Sequence, residues 1–500
     1  MVSLTKLLGE CGGETAGVDS SGVEVRDVQL DSRRVTTGDL FVAVMGSQAD
    51  GVRFVEGALD AGACAVLSAA RLDEILERRV GWTNWIHPEP RRVAGQAAAL
   101  AQGNPSRELV TVGITGTNGK TTVAHLVGQL LELEGRKPGI VGTVEVRLFG
   151  RPARAATHTT PDAPELQRIC REQVNAGGDT LVIEASSHGL DQDRLSGFEL
   201  DVAVLTNIST EHMDYHLNMD SYADAKARLF AHLRPGGTAI INLNDAYAPR
   251  MLRAAEEVGA RVVTYGTDTL SDLSASGLRA GPGGTNLTLE GMGIPRTGFQ
   301  IPLVGRHNVE NVLASLCVVL TLGASPIRAS EGLASLTPPP GRLEPVDVGD
   351  RGFRVFVDYA HTPDALENVL GALRQTLLAE SGEGARLLCV FGCGGERDRE
   401  KRAPMGSIVG ALSDVAYVTS DNPRGEEPEG ILRDIVAGMS DAKADVVTHT
   451  DRRVAIRAAL KEARPGDLIL VAGKGHESWQ YLRNERRPFN DRLVLLEELP

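Results

Sequence analysis

At residues 109–122 an apolar run, LVTVGIT, leads straight into GITGTNGKTT and from there into a helical pattern. A strand that turns through glycines into a helix aims backbone N–H groups and the positive end of the helix dipole at one point, which suits a phosphate. Lys120 adds a point charge near the β- and γ-phosphates, and Thr121 offers a hydroxyl to Mg²⁺. The loop is a variant of G-x-x-x-x-G-K-[ST]: Ile114 stands where the first glycine would be, with glycines at 113 and 116 instead. A surface lysine on a glycine-rich turn is the plain alternative. The strand before it, the helix after it and the paired threonines weigh against that.

From Glu108 onward the chain alternates strand and helix, with TLVIEAS, VAVLTN and TAIINL as further strands, and this alternation calls for a mostly parallel sheet covered by helices. A glycine-rich insert, SGLRAGPGGTNLTLEGMG, reads as a solvent-side meander. The triple proline in TPPPGRLEP cannot be helical. Beyond it a second alternating series runs through FRVFVDYA, ALENVLGALRQTL, RLLCVFGCGG, DVAYVTSDN, ILRDIVAGM, RRVAIRAALKEA and DLILVAGKG. The expected fold is α/β in three domains: a small α/β N-terminal domain at 1–106, a central mostly parallel-sheet P-loop ATPase domain at 107–336, and a C-terminal Rossmann-like domain at 337–500. Five hundred residues at roughly 150 per domain agree with that number.

The formal net charge of −14 argues against general nucleic-acid or anionic-membrane binding, so an anionic ligand must be held by placed groups. The longest charge-free stretch, Asn311 to Ile327, carries Asn, Ser, Thr and Pro and is a poor membrane span, and the N-terminus lacks the apolar core of a secretory signal. Six scattered cysteines, at 11, 64, 170, 317, 389 and 393, fit a reducing cytoplasm better than a disulfide framework, and a cytoplasmic monomer is expected. Cys389 and Cys393 lack the second pair that a metal site would need.

Glu184 falls at the carboxyl end of its strand, where doubly wound sheets bind ligands, and is best explained beside a triphosphate as a direct or water-mediated Mg²⁺ ligand. The next strand ends in Glu211, His212, Asp214 and His216. From residue types alone this run is open to three readings: a Mg²⁺ neighbour, a Zn²⁺ site or a solvated polar face.

Taken in order over essentially the whole chain, GITGTNGKTT, EASSHGL, NISTEHMDYH, SYADAKARLF, GRHNVENVLAS, GRLEPV, DYAHTPDAL, FGCGGERDREKR and GKGHE make the sequence resemble the Mur ligases, ATP-dependent amino-acid-adding enzymes of peptidoglycan precursor synthesis. The resemblance implies an ATP site at Gly116, Thr117, Asn118, Gly119, Lys120, Thr121 and Thr122, completed by His307, Asn308, Asn311, Arg342 and Asp358, with His361 beside it. It implies uracil and diphosphate contacts at Leu30, Ser32, Ser47, Gln48 and Ala49, and muramoyl-peptide contacts at His158, Thr159, Thr160, Ser186, Gln192 and Arg194. His158 stands where the family pattern has Asn. Lys226 matches a lysine the family carbamylates, which turns a cation that repels Mg²⁺ into an anionic oxygen ligand. The implied catalytic set is Lys120, Glu184, His212 and Lys226, with Thr121, Glu184, His212 and carbamylated Lys226 around Mg²⁺.

In the last domain Asp421, Asn422, Pro423 and Arg424 form DNPR, which resembles the signature of the members that add meso-diaminopimelate to the D-glutamate of a UDP-muramoyl dipeptide through an acyl phosphate. A second carboxylate needs a cationic fork, and Arg424 offers one. Arg397, Gly473 and Glu477 match further contacts to that amino acid. Read without the family, Lys226 is a solvated helix lysine, Leu30 to Ala49 a polar turn, His307 to Asn311 helix-cap residues, Arg342 and Asp358 an interdomain ion pair, and DNPR an Asx/Pro turn. A lysine-adding ligase, a folylpolyglutamate synthetase and a non-catalytic nucleotide-binding protein stay open as alternatives. The DSR-containing first domain argues against the folate enzyme, and DNPR against lysine.

Overall fold

A computed structural model describes residues 1–46, 50–213, 215–281, 283–380 and 384–499. The fold is α/β, organised around three large sheets. The first, from residues 14–86, has five strands in the order Glu14–Gly17, Thr83–Ile86, Ala65–Ser68, Asp39–Ala43, Asp27–Gln29, parallel except at the Glu14–Gly17 edge. Its inner strand Asp39–Ala43 is buried throughout, as β-type residues covered on both faces should be. The helix Pro90–Ala101 covers one face and also packs on Ala163–Asn175 of the next unit. Gly95 lies so close to Ser196 there that a Cβ would overlap the Ser196 carbonyl.

The central sheet has eleven strands among the described residues. Seven neighbours run parallel, in the order Pro138–Val141, Thr180–Glu184, Val110–Thr115, Leu200–Leu205, Leu233–Asn242, Arg261–Thr267, Leu273–Gly281. The glycine-rich insert is indeed a meander, made with Gly284–Gly291 and Ile294–Ile301 pairing antiparallel. It is not merely solvent-side: Ala275, Leu287, Leu289, Ile294 and Ile301 join the main core under the helices Lys120–Leu133 and Arg306–Thr321. Alternation along these strands sends every second residue inward, and Leu273, Ala275, Leu287 and Leu289 take the inward positions.

The third sheet, of six strands, orders as Glu344–Val346, Arg354–Asp358, Leu468–Ala472, Leu387–Phe391, Val415–Thr419, Asp445–His449, parallel except at its first pair. Two apolar clusters cover its faces. On one side Arg452 pairs bidentately with Asp491 at 2.7 Å, both wholly buried, which ties the last helix, Asp491–Glu498, to the sheet. Residues 337–340 run without regular structure between the two sheets, as three prolines require. No helix among the described residues is long and apolar enough to cross a membrane.

Candidate active site

Val110–Thr115 lies between strands that leave it in opposite directions along the sheet, the position where a doubly wound fold opens a crevice at its carboxyl edge. The loop after it enters the helix Lys120–Leu133 at Gly119, with φ of 89° and no side-chain cap, so the first helical N–H groups stay open to a ligand. Lys120 Nζ folds back to donate to the carbonyls of Gly116 and Thr117, both at 2.8 Å. Thr206 Oγ1 donates to the Asn118 carbonyl at 2.6 Å, and Asn118 N donates to Asn207 Oδ1 at 2.9 Å, which pins the loop from the neighbouring strand end. A Cβ on Gly116, whose φ is 147°, would overlap Thr206 Oγ1. Gly116→Ala is therefore expected to destabilise the fold by about 2–4 kcal/mol and to raise the KM for ATP at least about tenfold, measured by thermal melts and initial rates; an unchanged KM would show that this geometry does not shape the nucleotide site.

Glu184 is 1% exposed at the end of Thr180–Glu184. Its Oε2 accepts from Thr121 Oγ1 at 2.9 Å and Thr143 Oγ1 at 3.0 Å, and its Oε1 accepts from Thr143 N at 2.9 Å. Lys226, from the helix Met219–Ala227, is 1% exposed and not a solvated helix lysine. Its Nζ lies 4.3 Å from the Tyr222 ring centroid and donates to Gly116 O at 2.7 Å. Burial and the nearby Lys120 push its proton affinity well below that of an ordinary lysine, against the pull of Glu211 and Asp245. Burial also lowers Lys120, opposed by Glu211 and Glu184. Glu211 is held below the usual carboxylate range: burial opposes its charge, but Lys120, His212, His361 and Lys226 outweigh it.

His212 sits in the left-handed region at φ 57°, an uncommon conformation for a non-glycine residue that recurs at functional sites. Burial drops it to about 4, against the attraction of Glu211, whose Oε2 is 3.8 Å away. No three His, Cys, Asp or Glu side chains converge on one point among the described residues, so Glu211, His212 and His216 by themselves form no Zn²⁺ cage. Asp214 lies outside the described residues.

The cavity lined by Lys120, Thr121, Thr143, Glu184, Glu211 and His212, about 280 Å³, is closed on its far side by the third sheet's domain through Arg342, Asp358, Tyr359 and His361. His307, Asn308 and Asn311 face it from the head of Arg306–Thr321, and a Cβ on Gly119 would overlap Asn311 Oδ1. Arg342 stacks over the Tyr359 ring at 4.7 Å. Asp358 accepts from Leu343 N at 2.6 Å and Ala360 N at 2.7 Å; burial raises its proton affinity against Arg342 and these bonds. Asp364 reaches across to Asn118 Nδ2 at 2.9 Å and Ser209 Oγ at 3.1 Å, a direct tie between the two domains.

Thr159, Thr160, Ser186, Gln192 and Arg194 gather beside Glu184. Thr160 Oγ1 donates to Glu184 O at 2.9 Å, Arg194 Nη1 donates to Thr160 O at 2.8 Å, and Arg194 Nη2 donates to Gln192 Oε1 at 2.8 Å. Thr159 Oγ1 shares a hydrogen bond with Thr143 Oγ1 at 3.0 Å. His158 is exposed on the preceding residue. Leu30 borders a small hollow of about 110 Å³ between the first and central domains, and Ser32 opens the short turn Ser32–Arg34. Ser47, Gln48 and Ala49 lie outside the described residues.

The remaining candidates collect at the carboxyl ends of the third sheet. A Cβ on Gly394 would meet Arg424 Nη1 at 2.9 Å and Arg397 Cγ at 3.8 Å, so both arginines border one space. Asn422 Nδ2 donates to Glu477 Oε2 at 2.9 Å, and Gly473, with φ 113°, admits Asp421 Oδ2 to within 2.8 Å of where its Cβ would stand. Thr143 belongs to these networks without any motif signal, whereas Asn207, Tyr359, Asp364 and Lys474 stand inside NISTEHMDYH, DYAHTPDAL and GKGHE, and only the fold shows what each of them bonds.

Three family profiles match the chain: "Mur ligase family, catalytic domain" at residues 24–108, "Mur ligase middle domain" at 114–319 and "Mur ligase, glutamate ligase domain" at 341–475. The chain is 42% identical over 485 residues to the UDP-N-acetylmuramoyl-L-alanyl-D-glutamate–2,6-diaminopimelate ligase of Chromobacterium violaceum, covering 96% of this chain and 95% of that one. It is 40% identical over 505 residues to the protein of the same name from Streptomyces avermitilis, covering 99% and 96%. A solved structure bearing that name superimposes with a TM-score of 0.71 at 32% identity, over 100% of this chain and 98% of the other.

Proposed function

The chain belongs to the Mur ligase family, and on that premise we propose that it joins meso-2,6-diaminopimelate to the D-glutamate of UDP-N-acetylmuramoyl-L-alanyl-D-glutamate in an ATP-driven, ADP-forming step of peptidoglycan precursor synthesis. The observation that carries the reading is the likeness, over nearly the full length of both chains, to ligases named for this reaction. The arrangement of side chains supports it. We assign residues 1–106 to the uridine nucleotide, through Leu30, Ser32 and residues 47–49. Residues 107–336 take ATP and the muramoyl peptide, and residues 337–500 the incoming amino acid.

The chemistry needs no protein nucleophile. The D-glutamate γ-carboxylate attacks the γ-phosphorus of ATP, the bond to ADP breaks and an acyl phosphate forms. An amine of diaminopimelate then attacks the acyl carbon and loses a proton as phosphate departs. Lys120 and the open helix N-terminus hold the phosphates, Arg194 orients the muramoyl peptide, and Arg397 and Arg424 hold the far carboxylate of the amino acid; the rate gain is positioning plus charge neutralisation.

The residues around Glu184 fit Mg²⁺. Thr121 and Glu184 are the hard oxygen donors it prefers, and the Thr121 hydroxyl, its proton committed to Glu184, keeps its lone pairs. Lys226 as an ammonium would repel the ion. Its burial and lowered proton affinity favour the neutral amine that takes up CO₂, and the resulting carbamate would add an anionic oxygen donor to those of Thr121 and Glu184. Bound there, Mg²⁺ would supply charge neutralisation to the phosphates.

With ATP and the muramoyl dipeptide present, ADP release is expected to require meso-diaminopimelate, with lysine and ornithine at least about 100-fold poorer in kcat/KM. Equal use of lysine would remove the diaminopimelate assignment and leave the ligase chemistry. ADP release indifferent to the muramoyl dipeptide would remove both.

A further inference from the structure

Among the amino-acid-site residues of the last domain lies an ammonium that solvent does not reach. Lys474 is 0% exposed, on the turn after Leu468–Ala472. Its Nζ donates to Glu477 Oε2 at 2.8 Å, to Trp479 O at 2.8 Å and to Asn422 Oδ1 at 3.1 Å. An ammonium has three donors, and these contacts use all of them, so none is left for a substrate. Two of the three partners are residues assigned to diaminopimelate.

We infer that Lys474 is a positioning residue that sets amino-acid recognition by fixing Asn422 and Glu477 as one unit, leaving Glu477 Oε1 to take the distal ammonium of the substrate. The inference rests on the functional reading above. Asn422 can point only one way: Oδ1 accepts from Lys474 Nζ and from Tyr481 N, both at 3.1 Å, while Nδ2 donates to Glu477. Flipping the amide would set its NH₂ against two donors. Glu477 Oε2 therefore receives two hydrogen bonds, while Oε1 receives none from the described residues. Burial works against the Glu477 charge, and Lys474 with Asn422 reverses that, holding the carboxylate below its ordinary range. The turn itself is tight: a Cβ on Gly475, at φ 52°, would stand 2.8 Å from both Gly341 O and Tyr359 Cβ. The backbone just after Lys474 is thus packed against the segment that carries Arg342.

The test is a double-mutant cycle in the full-length enzyme. Lys474→Met is expected to raise the KM for diaminopimelate about 100-fold while the KM values for ATP and the muramoyl dipeptide stay within about threefold; Glu477→Gln gives a similar rise, and the double variant is no more than about threefold worse than the worse single. In Lys474→Met the KM for diaminopimelate should depend on pH more steeply than in the wild type, falling as pH rises, because a half-buried Glu477 without its cation ionises later. Multiplicative effects, or equal rises in all three KM values, overturn the inference. If Lys474→Met does not fold, Lys474→Gln, which keeps a donor at similar reach without the charge, enters the same cycle. A wild-type enzyme indifferent to diaminopimelate would instead defeat the functional reading, so the two failures are separable.

Discussion

Glu184→Gln is expected to lower kcat by about three orders of magnitude, roughly 4 kcal/mol of transition-state stabilisation, while moving the thermal midpoint by only a few degrees. Both halves follow from the hydrogen bonds. A glutamine carbonyl at the Oε1 position still accepts from Thr143 N, and its NH₂ at the Oε2 position meets two hydroxyls, Thr121 and Thr143, whose rotors turn to accept instead of donate. The fold therefore keeps its contacts. What goes is the negative charge in a buried site facing Lys120, and with it the acceptor that orients Thr121. Steady-state kinetics with saturating substrates and a melt of the same preparation decide the matter. Retention of more than about a tenth of the wild-type kcat would show that the Glu184 charge does not stabilise the transferring phosphoryl group.

Residue order revealed the α/β class and many of the elements around the site, because strand–helix alternation and the glycine-rich turn at 113–122 are local signals. The same holds for the carboxyl-end placement of Glu184 and for DNPR after Val415–Thr419. Burial was not legible in the same way. Lys226 sits on a short polar-looking helix, and only the packing of that helix against the phosphate loop puts its amine beneath Gly116. Thr143 is 41 residues from Glu184 in sequence and of a type found everywhere, yet it supplies two of the three hydrogen bonds to that carboxylate. Asp364 meets Asn118 across 246 residues. Such partners are set by which strand neighbours which, and the alternation alone leaves strand order open. The glycine-rich insert shows the same limit: composition announced a meander, but only the register shows that its alternate residues complete the core.

Arg424→Met is expected to raise the KM for diaminopimelate by about 100- to 1000-fold while changing kcat/KM for lysine only a few-fold, so that discrimination between the two collapses. Arg424 holds φ 53°, a costly conformation for a residue other than glycine, and its N–H donates to Tyr481 O at 2.9 Å. That turn lays the guanidinium over Gly394, where Nη1 donates to Gly395 O at 2.8 Å and Arg397 borders the same space. Nη1 is anchored beside Arg397, and on the proposed assignment of this space to diaminopimelate the planar guanidinium is the group a bidentate carboxylate requires. A substrate lacking that carboxylate gains nothing from the fork, so lysine should hardly notice its loss. Arg424→Lys keeps the charge but not the planar pair of donors, and should fall between, at about 10- to 30-fold in KM. Because the side chain is only partly buried, the thermal midpoint should shift little in either variant. Equal losses with diaminopimelate and lysine would mean that Arg424 shapes the turn and does not read the second carboxylate.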